Sequence, residues 1–382
     1  MKQNKSFLLR EIENVPYLLP YGQMIADHMR GIRINDTGIY LWRLLEQERT
    51  LSELISLCAA YYEIPESEMA EFQADITGFI QQLISYGIIE DAVPSRIPDS
   101  YENLDFTIGG LHLRLSGPAE ALPKEFQAFA TKEDAPLHQH IELRITLPVG
   151  HQNGQILLRN RELMVIEQTD FYILLFPQAK QLLEIHLKKD GRHALCYCLP
   201  PYTDAFRYDL FHAIRLLYLY LAQKHHMVAL HSASILYQEK LWLFSGRSGT
   251  GKSTHTNLWK ELYGTPVING DLNLLALEKG QCVVHGTPWC GTSEIYDTET
   301  YPLGGIVLLK QATSDSVEEL SPDKQQLLVC QRLISPTWTP QQFDNNLDFI
   351  KSITKQALVC RLHCTKENSA AETMKAYLEE KG

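Results

Sequence analysis

Cysteine is scarce in this chain, eight residues in 382, and no Cys-x-x-Cys pair occurs. That density excludes a disulfide scaffold and leaves reduced thiols as the expected state. The segment VCRLHC brings Cys360, His363 and Cys364 close in sequence. Its alternation puts Cys360, Leu362 and Cys364 on one face and His363 on the other, which is a poor start for a zinc site needing four ligands or three plus water. Apolar runs of membrane-spanning length are lacking as well. The opening MKQNKSFLLREIE turns to charge before any stretch of signal length develops, and the greasiest later segment, Leu210 to Ala222, is interrupted by His212 and Arg215. A cytoplasmic protein without a membrane span is expected. Positive charge is in deficit, 35 Lys and Arg against 46 Asp and Glu, and a formal net charge of -11 disfavours global attraction to a nucleic-acid backbone. Internal repeats and low-complexity tracts are missing too, so domain boundaries must be read from changes of periodicity and from turn residues.

What is present is the composition of an ordinary soluble globular protein, 45% hydrophobic and 21% charged, with 22 Gly and 18 Pro dispersed. The length suits two or three domains of about 100 to 200 residues each. A linker is expected at 92–103, where AVPSRIPDSYEN separates a helical segment from a strand-rich one. Before it, FLLRE, PYLLPY and GIRIN read as short strands followed by three helices. Asn35 and Asp36 open the first helix, and Thr50 with Glu53 forms a capping box for the second. The third begins near Pro65 and Ser67 and carries Met69, Phe72, Ile76, Ile80 and Leu83 on one face, with Gly87 as its stop. Residues 104–200 alternate with period two and read as β-rich. Residues 201–382 return to helical periodicity and then alternate strands and helices. The fold class is thus α/β and α+β multidomain: a winged-helix-like module at 1–91, a β-rich middle segment, and an α/β carboxy-terminal domain.

LWLFSGRSGTGKST, from Leu241 to Thr254, contains a full phosphate-binding loop, Gly246-x-x-x-x-Gly251-Lys252-Ser253. A short apolar strand precedes it and a helix ending at Gly264 follows, the order the mechanism requires. Nucleotide phosphates would be cradled by Gly246, Arg247, Ser248, Gly249, Thr250, Gly251, Lys252, Ser253 and Thr254. The glycines let backbone N–H groups converge on phosphate oxygens, and the helix N-terminus adds partial positive charge. Lys252 would reach the β and γ phosphates of ATP and the Ser253 hydroxyl would bind Mg²⁺. The apolar strand GGIVLLKQ ends in Lys310 rather than in an acid. The candidate acid is Asp271 in PVINGDLNLL, placed to bind Mg²⁺ or accept a proton from an incoming hydroxyl, with a turn Asp capping its own backbone as the plainer reading. A hairpin turning at Lys279 and Gly280 is expected after it.

HSASILYQEKLWLFSGRSGTGKST, then PVINGDLNLL, then VVHGTPWCG, resembles the HPr kinase-like family, whose fold is shared with the ATP-dependent phosphoenolpyruvate carboxykinases. The resemblance covers about 204–375. It implies a catalytic His one strand before the loop, matching His231, and an acid pair after the loop helix, which here reads Gly270-Asp271. One carboxylate is then left for proton acceptance and metal ligation. Either Glu294 shares the work, or the reverse phosphorolysis of HPr kinases is absent. Thr292 stands where a Lys is expected, and Trp289 and Cys290 read as packing residues.

Residues 1–91 hold seven Lys and Arg against fourteen Asp and Glu, 7 - 14 = -7, so a winged helix there would repel DNA. The pattern of strand pair, GIRINDTGIYLWRLL, TLSELISLCAAYYEIP and a final helix ending YGII resembles the PqqD-like peptide-recognition domain of ribosomal-peptide biosynthesis, over nearly all of 5–91. That resemblance implies that a precursor's leader peptide adds as a strand beside Ile32, Arg33 and Ile34 and packs on Phe72, Ile76 and Phe79. β-Augmentation of this kind is chemically sound, because an edge strand offers unpaired backbone groups and an apolar helix supplies pockets. The parts together point to an ATP- and Mg²⁺-dependent kinase that phosphorylates a Ser or Thr hydroxyl of a precursor peptide, with nucleotidyl transfer or a non-catalytic ATP-binding peptide chaperone as alternatives. A homo-oligomer is left open.

Overall fold

The computed structural model describes residues 1–382 apart from 27, 28, 30, 91–100, 133–134, 149–153, 248 and 382. The chain divides into two units, Met1–Arg96 and Ile97–Gly382.

The first unit runs β1 (Lys2–Gln3), β2 (Phe7–Ile12), β3 (Val15–Pro20), α1 (Gln23–Ala26), β4 (Ile32–Arg33), α2 (Asp36–Leu44), α3 (Leu51–Tyr61), α4 (Met69–Ser85) and β5 (Ile89–Glu90). Glu13 and Asn14, both at positive φ, turn β2 back into β3, and β4 pairs with the other side of β3. The sheet order β2-β3-β4 leaves β4 as an edge. Helix starts follow from side-chain oxygens. The Asn35 carboxamide accepts from the Gly38 N–H at 2.9 Å, and Thr50 and Glu53 satisfy each other's backbone donors, a cap worth about 1 kcal/mol. A left-handed Gly87, at φ +65, follows α4. The buried faces of the three longer helices meet the sheet around Leu18, Leu41, Leu54, Ile80 and Leu83. Only Ile32 and Arg33 of the expected strand GIRIN are strand. Ile34 turns inward, with its N–H bonded to the Pro16 carbonyl at 3.1 Å.

The second unit opens with β6 (Tyr101–Ile108), so the last residues of the expected linker belong to a strand, while 92–100 lie outside the described residues. Then come β7 (Leu111–Pro118), β8 (Gln139–Arg144), β9 (Gln155–Arg159), β10 (Met164–Glu167), β11 (Phe171–Leu175), β12 (Leu182–Lys188) and β13 (His193–Cys198). They form one sheet, in the order β6-β7-β8-β13-β12-β11-β10-β9. Period-two patterning buries Leu113, Leu115, Ile141, Leu143, Ile185 and Leu187 on one face, against the long helix α5 (Asp204–Lys224) through Phe206, Leu210, Ile214 and Leu217.

The remainder is β14 (Met227–Tyr237), β15 (Lys240–Ser245), α6 (Lys252–Tyr263), β16 (Val267–Asn269), β17 (Leu272–Glu278), β18 (Gln281–His285), β19 (Thr300–Gln311), β20 (Ser316–Glu319), α7 (Pro322–Cys330), α8 (Pro340–Ile353), β21 (Leu358–Cys364) and α9 (Asn368–Lys381). Neighbouring strands run β15-β14-β17-β18-β19, and β19 also pairs in parallel with β15, so five strands close into a ring. The β17–β18 hairpin turns at Lys279 and Gly280, both left-handed. Cys360, Leu362 and Cys364 face the core, whereas His363 faces Glu318, its Nε2 lying 3.0 Å from Oε2. Among the described residues no group of three or more His, Cys, Asp or Glu side chains is gathered as a metal cluster, and no helix is long and apolar enough to cross a membrane.

Candidate active site

The loop between β15 and α6 has the conformation its glycines permit. Gly251, the residue before α6, stands at φ +102, a value L side chains rarely adopt. Gly246 is required by contact instead: a Cβ there would lie 2.3 Å from Thr250 Oγ1. The turn is tied by the Thr250 N–H and hydroxyl, both donating to the Arg247 carbonyl, at 3.1 and 2.7 Å. Gln311 at the end of β19 donates to the Gly249 carbonyl at 3.1 Å, so the parallel partner strand braces the loop. Beneath it, α6 buries His255, Thr256, Leu258 and Trp259, and the Trp259 ring lies against Phe244 and Tyr237. Lys252, Ser253 and Thr254 form the first turn of α6, with Ser253 exposed and Lys252 half-buried. Ser248 lies outside the described residues.

Asp271 is held in place by its neighbours. The Asn269 carboxamide oxygen accepts from the N–H groups of Asp271 (2.9 Å) and Leu272 (3.0 Å), while its amide donates to the Thr287 carbonyl at 3.2 Å. The Asp271 carbonyl accepts from the Ser232 N–H at 3.0 Å, which docks it beside His231 on β14. His231 Nε2 then lies 3.0 Å from Asp271 Oδ1, each side chain about one-third exposed. The His231 hydrogen bond holds the Asp271 carboxyl below the usual carboxylate range, burial opposes this, and the charges of His231, Arg215 and Lys252 reinforce it. Burial lowers the Lys252 ammonium, with Asp271 opposing and Arg332 adding to the fall. His231, Lys252 and Asp271, from β14, the start of α6 and the turn before β17, therefore share one small electrostatic neighbourhood.

Glu294 is placed differently. It follows a short 3-10 turn, Gly291–Ser293, at φ +55, exposed and with no hydrogen bond or ion pair to Asp271. That turn fills the space beside Gly270, where a Cβ would lie 2.1 Å from Ser293 Oγ and 2.5 Å from its Cβ. A second acid preceding Asp271 is thus sterically excluded. Trp289 is fully buried and its Nε1 donates to the Phe211 carbonyl on α5 at 3.2 Å, a packing role.

Two cations of this neighbourhood have no local motif to announce them. Arg332, just beyond α7, accepts the His231 N–H through its carbonyl at 2.9 Å, and its Nε is buried without a partner among the described residues. Arg215, half-buried on α5, also contributes to the low Asp271 carboxyl. The readable signal for Arg215 was its position inside the greasiest stretch of the chain, where an unpaired charge calls for a reason.

In the first unit, Ile32 is half-buried and Arg33 exposed on the edge strand, and Phe72 and Phe79 are half-buried on α4. Ile34 and Ile76, each 4% exposed, belong to the core.

Residues 24–89 match the family model described as coenzyme PQQ synthesis protein D (PqqD), in line with the amino-terminal resemblance. Residues 5–23 of the expected span fall outside the match. No curated protein matches the chain. Among solved structures, the HPr(Ser) kinase/phosphatase from Coxiella burnetii is similar over 40% of this chain and 99% of that one, at 10% identity and a TM-score of 0.24. A likeness of that size carries no argument, and the chemistry has to rest on the geometry.

Proposed function

We propose that the second unit is an ATP-dependent kinase that phosphorylates a Ser or Thr hydroxyl of a ribosomally made precursor peptide, and that the first, winged-helix-like unit captures that peptide through its leader. The observation that carries the kinase reading is the glycine-shaped loop whose Lys252, without a hydrogen bond or ion pair among the described residues, shares its electrostatic surroundings with the His231–Asp271 pair. The loop N–H groups and Lys252 suit the phosphates of ATP, and Ser253 with Asp271 would hold Mg²⁺. Held there, Mg²⁺ would neutralise charge on the phosphates.

In the reaction the peptide hydroxyl oxygen forms a bond to the γ phosphorus, the bond from that phosphorus to the β–γ bridging oxygen breaks, and ADP leaves. The hydroxyl proton passes to Asp271. A carboxylate with a lowered pKa is a weak base, but phosphoryl transfer through a loose transition state needs the proton removed only late, so its earlier task is to orient the hydroxyl. His231 occupies Oδ1, which leaves Oδ2 for the hydroxyl or for the metal. Lys252 neutralises charge on the transferred group. Leader capture on the β4 edge and the exposed parts of Phe72 and Phe79 would raise the local concentration of the core peptide at the kinase site, so that site need not bind the core tightly.

The test is to incubate the full chain with Mg-ATP and a candidate leader-bearing precursor and to weigh the peptide. Gain of one phosphate supports the kinase. Gain of a nucleoside monophosphate replaces it with nucleotidyl transfer, and an unchanged mass with ATP bound replaces it with a chaperone.

A further inference from the structure

The cations around Asp271 fall into two sets. On the loop side, Lys252 feels Arg332, and Arg332 in turn feels Arg247, so these three share one field. Arg215, on α5, is not among them. Burial depresses its guanidinium, and the charges opposing that fall are those of Asp271, Tyr208 and Glu162 rather than anything on the loop. Asp271 is the group common to both sets.

Packing brings α5 to Asp271. Trp289 donates to the Phe211 carbonyl, which pins α5 to the segment running into Gly291, and Gly291 touches Asp271 so closely that a Cβ on it would lie 3.0 Å from the Asp271 Cβ. Arg215 is one helical turn beyond Phe211 on the same face of α5. Two turns before Arg215, the Tyr208 ring stands edge-on to His212, centroids 4.3 Å apart, and Tyr208 is 64% exposed. His212 Nδ1 is buried with no partner among the described residues, and burial pushes that imidazole down to about 4, so it is neutral at pH 7. Arg215 has no hydrogen bond and no ion pair among the described residues. A half-buried guanidinium without a carboxylate at contact distance is costly, and an arriving anion removes the cost.

We propose that Arg215, with Tyr208 and His212 on the same helix, seats an anionic group of the acceptor, a carboxylate or a phosphate beside the hydroxyl that is phosphorylated. This rests on the kinase reading and extends it to the substrate. Lys252, Arg247 and Arg332 face the donor phosphates, and Asp271 lies between donor and acceptor, where a group that orients the attacking hydroxyl has to be. Arg215 then holds the acceptor by a charge-assisted hydrogen bond on the far side of that carboxylate.

The experiment saturates the full chain with a non-hydrolysable ATP analogue and Mg²⁺, which fills the donor side, and titrates in inorganic phosphate in one arm and acetate in the other by calorimetry. Wild type is expected to take up at least one of the two anions, and the stronger of the two identifies the acceptor group. Arg215→Gln and Arg215→Met should each weaken that uptake about 10- to 100-fold, the loss of a hydrogen bond to a charged group, while the analogue binds within about twofold of wild type. Retained analogue binding also certifies the fold of the variants. Neither anion binding to the loaded wild type, or equal binding by both variants, overturns the inference and leaves the kinase reading standing. Failure of the analogue to bind wild type overturns the kinase reading, and the acceptor seat falls with it.

Discussion

The backbone N–H of His231 donates to the carbonyl of Arg332 at 2.9 Å, which ties the strand that carries the histidine to the segment leaving α7. The arrangement delivers the Arg332 guanidinium, with its unpartnered buried Nε, to the loop side of the site. Arg332→Gln is predicted to slow phosphoryl transfer by about 10²-fold or more, the scale for removing one donor from developing charge, and to change thermal stability little because the backbone bond remains. Single-turnover rates and a melting curve check this. An unchanged rate would remove Arg332 from the site.

Lys252→Ala is predicted to abolish transfer while leaving the melting temperature close to wild type. Among the described residues its ammonium, half-buried, makes no hydrogen bond or ion pair that the fold would lose. Full turnover by the purified variant would sink the phosphate-loop assignment.

Asp271→Asn keeps size and shape but removes the charge that His231 binds. If Oδ2 accepts the hydroxyl proton, chemistry should slow by about 10²- to 10⁴-fold at every metal concentration. If Oδ2 binds the metal, excess Mg²⁺ or Mn²⁺ should restore part of the rate. Single-turnover phosphorylation over a range of metal concentrations separates the roles, and wild-type rates throughout would leave Asp271 as a turn residue.

On the first unit, Phe72→Asp is predicted to weaken leader binding at nearly unchanged stability, since Phe72 is only half-buried. Ile76→Asp should instead destabilise the unit by about 3 kcal/mol or more, because it buries an unpaired charge at a position 4% exposed. Leader affinity by fluorescence anisotropy, read beside thermal melts of both variants, distinguishes a docking face from a core face. Wild-type affinity for the Phe72 variant would place the leader elsewhere.

A pH prediction comes from the middle sheet, where Arg114 grips Asp105 with two hydrogen bonds of 2.7 and 2.9 Å and holds its carboxyl below the usual range. The folded pKa is below the unfolded value of about 3.9, so the stabilisation is complete above that value and is lost as pH falls through the folded pKa. Because the pair is partly exposed, it contributes about 1 kcal/mol or less. Asp105→Asn should lower the melting temperature by about 1–3 °C at pH 7, with the difference shrinking progressively as pH falls below about 3.9. A difference independent of pH would mean that the charge is not the cause.

The strand, glycine turn and helix around Lys252 could be read from the sequence because they lie in one contiguous stretch. Asp271 was legible for the same reason, one short strand beyond the loop helix. Arg215 and Arg332 were not, since only the packing of α5 on Trp289 and the return of the chain after α7 bring them to Asp271. The resemblance, not periodicity, put Ile34 and Ile76 on the leader-binding face, and both are buried in the core of the first unit. An apolar stripe at helical or strand spacing says which face is buried, and cannot say whether the protein's own core or a guest covers it.

The turn packed over Gly270 also limits what this chain can become. Any side chain at 270 meets Ser293 and, at 3.0 Å, the carbonyl of Cys290, so Gly270→Asp alone would displace the segment that touches Asp271. Reaching a two-acid site from here requires position 270 and the 290–293 turn to change together.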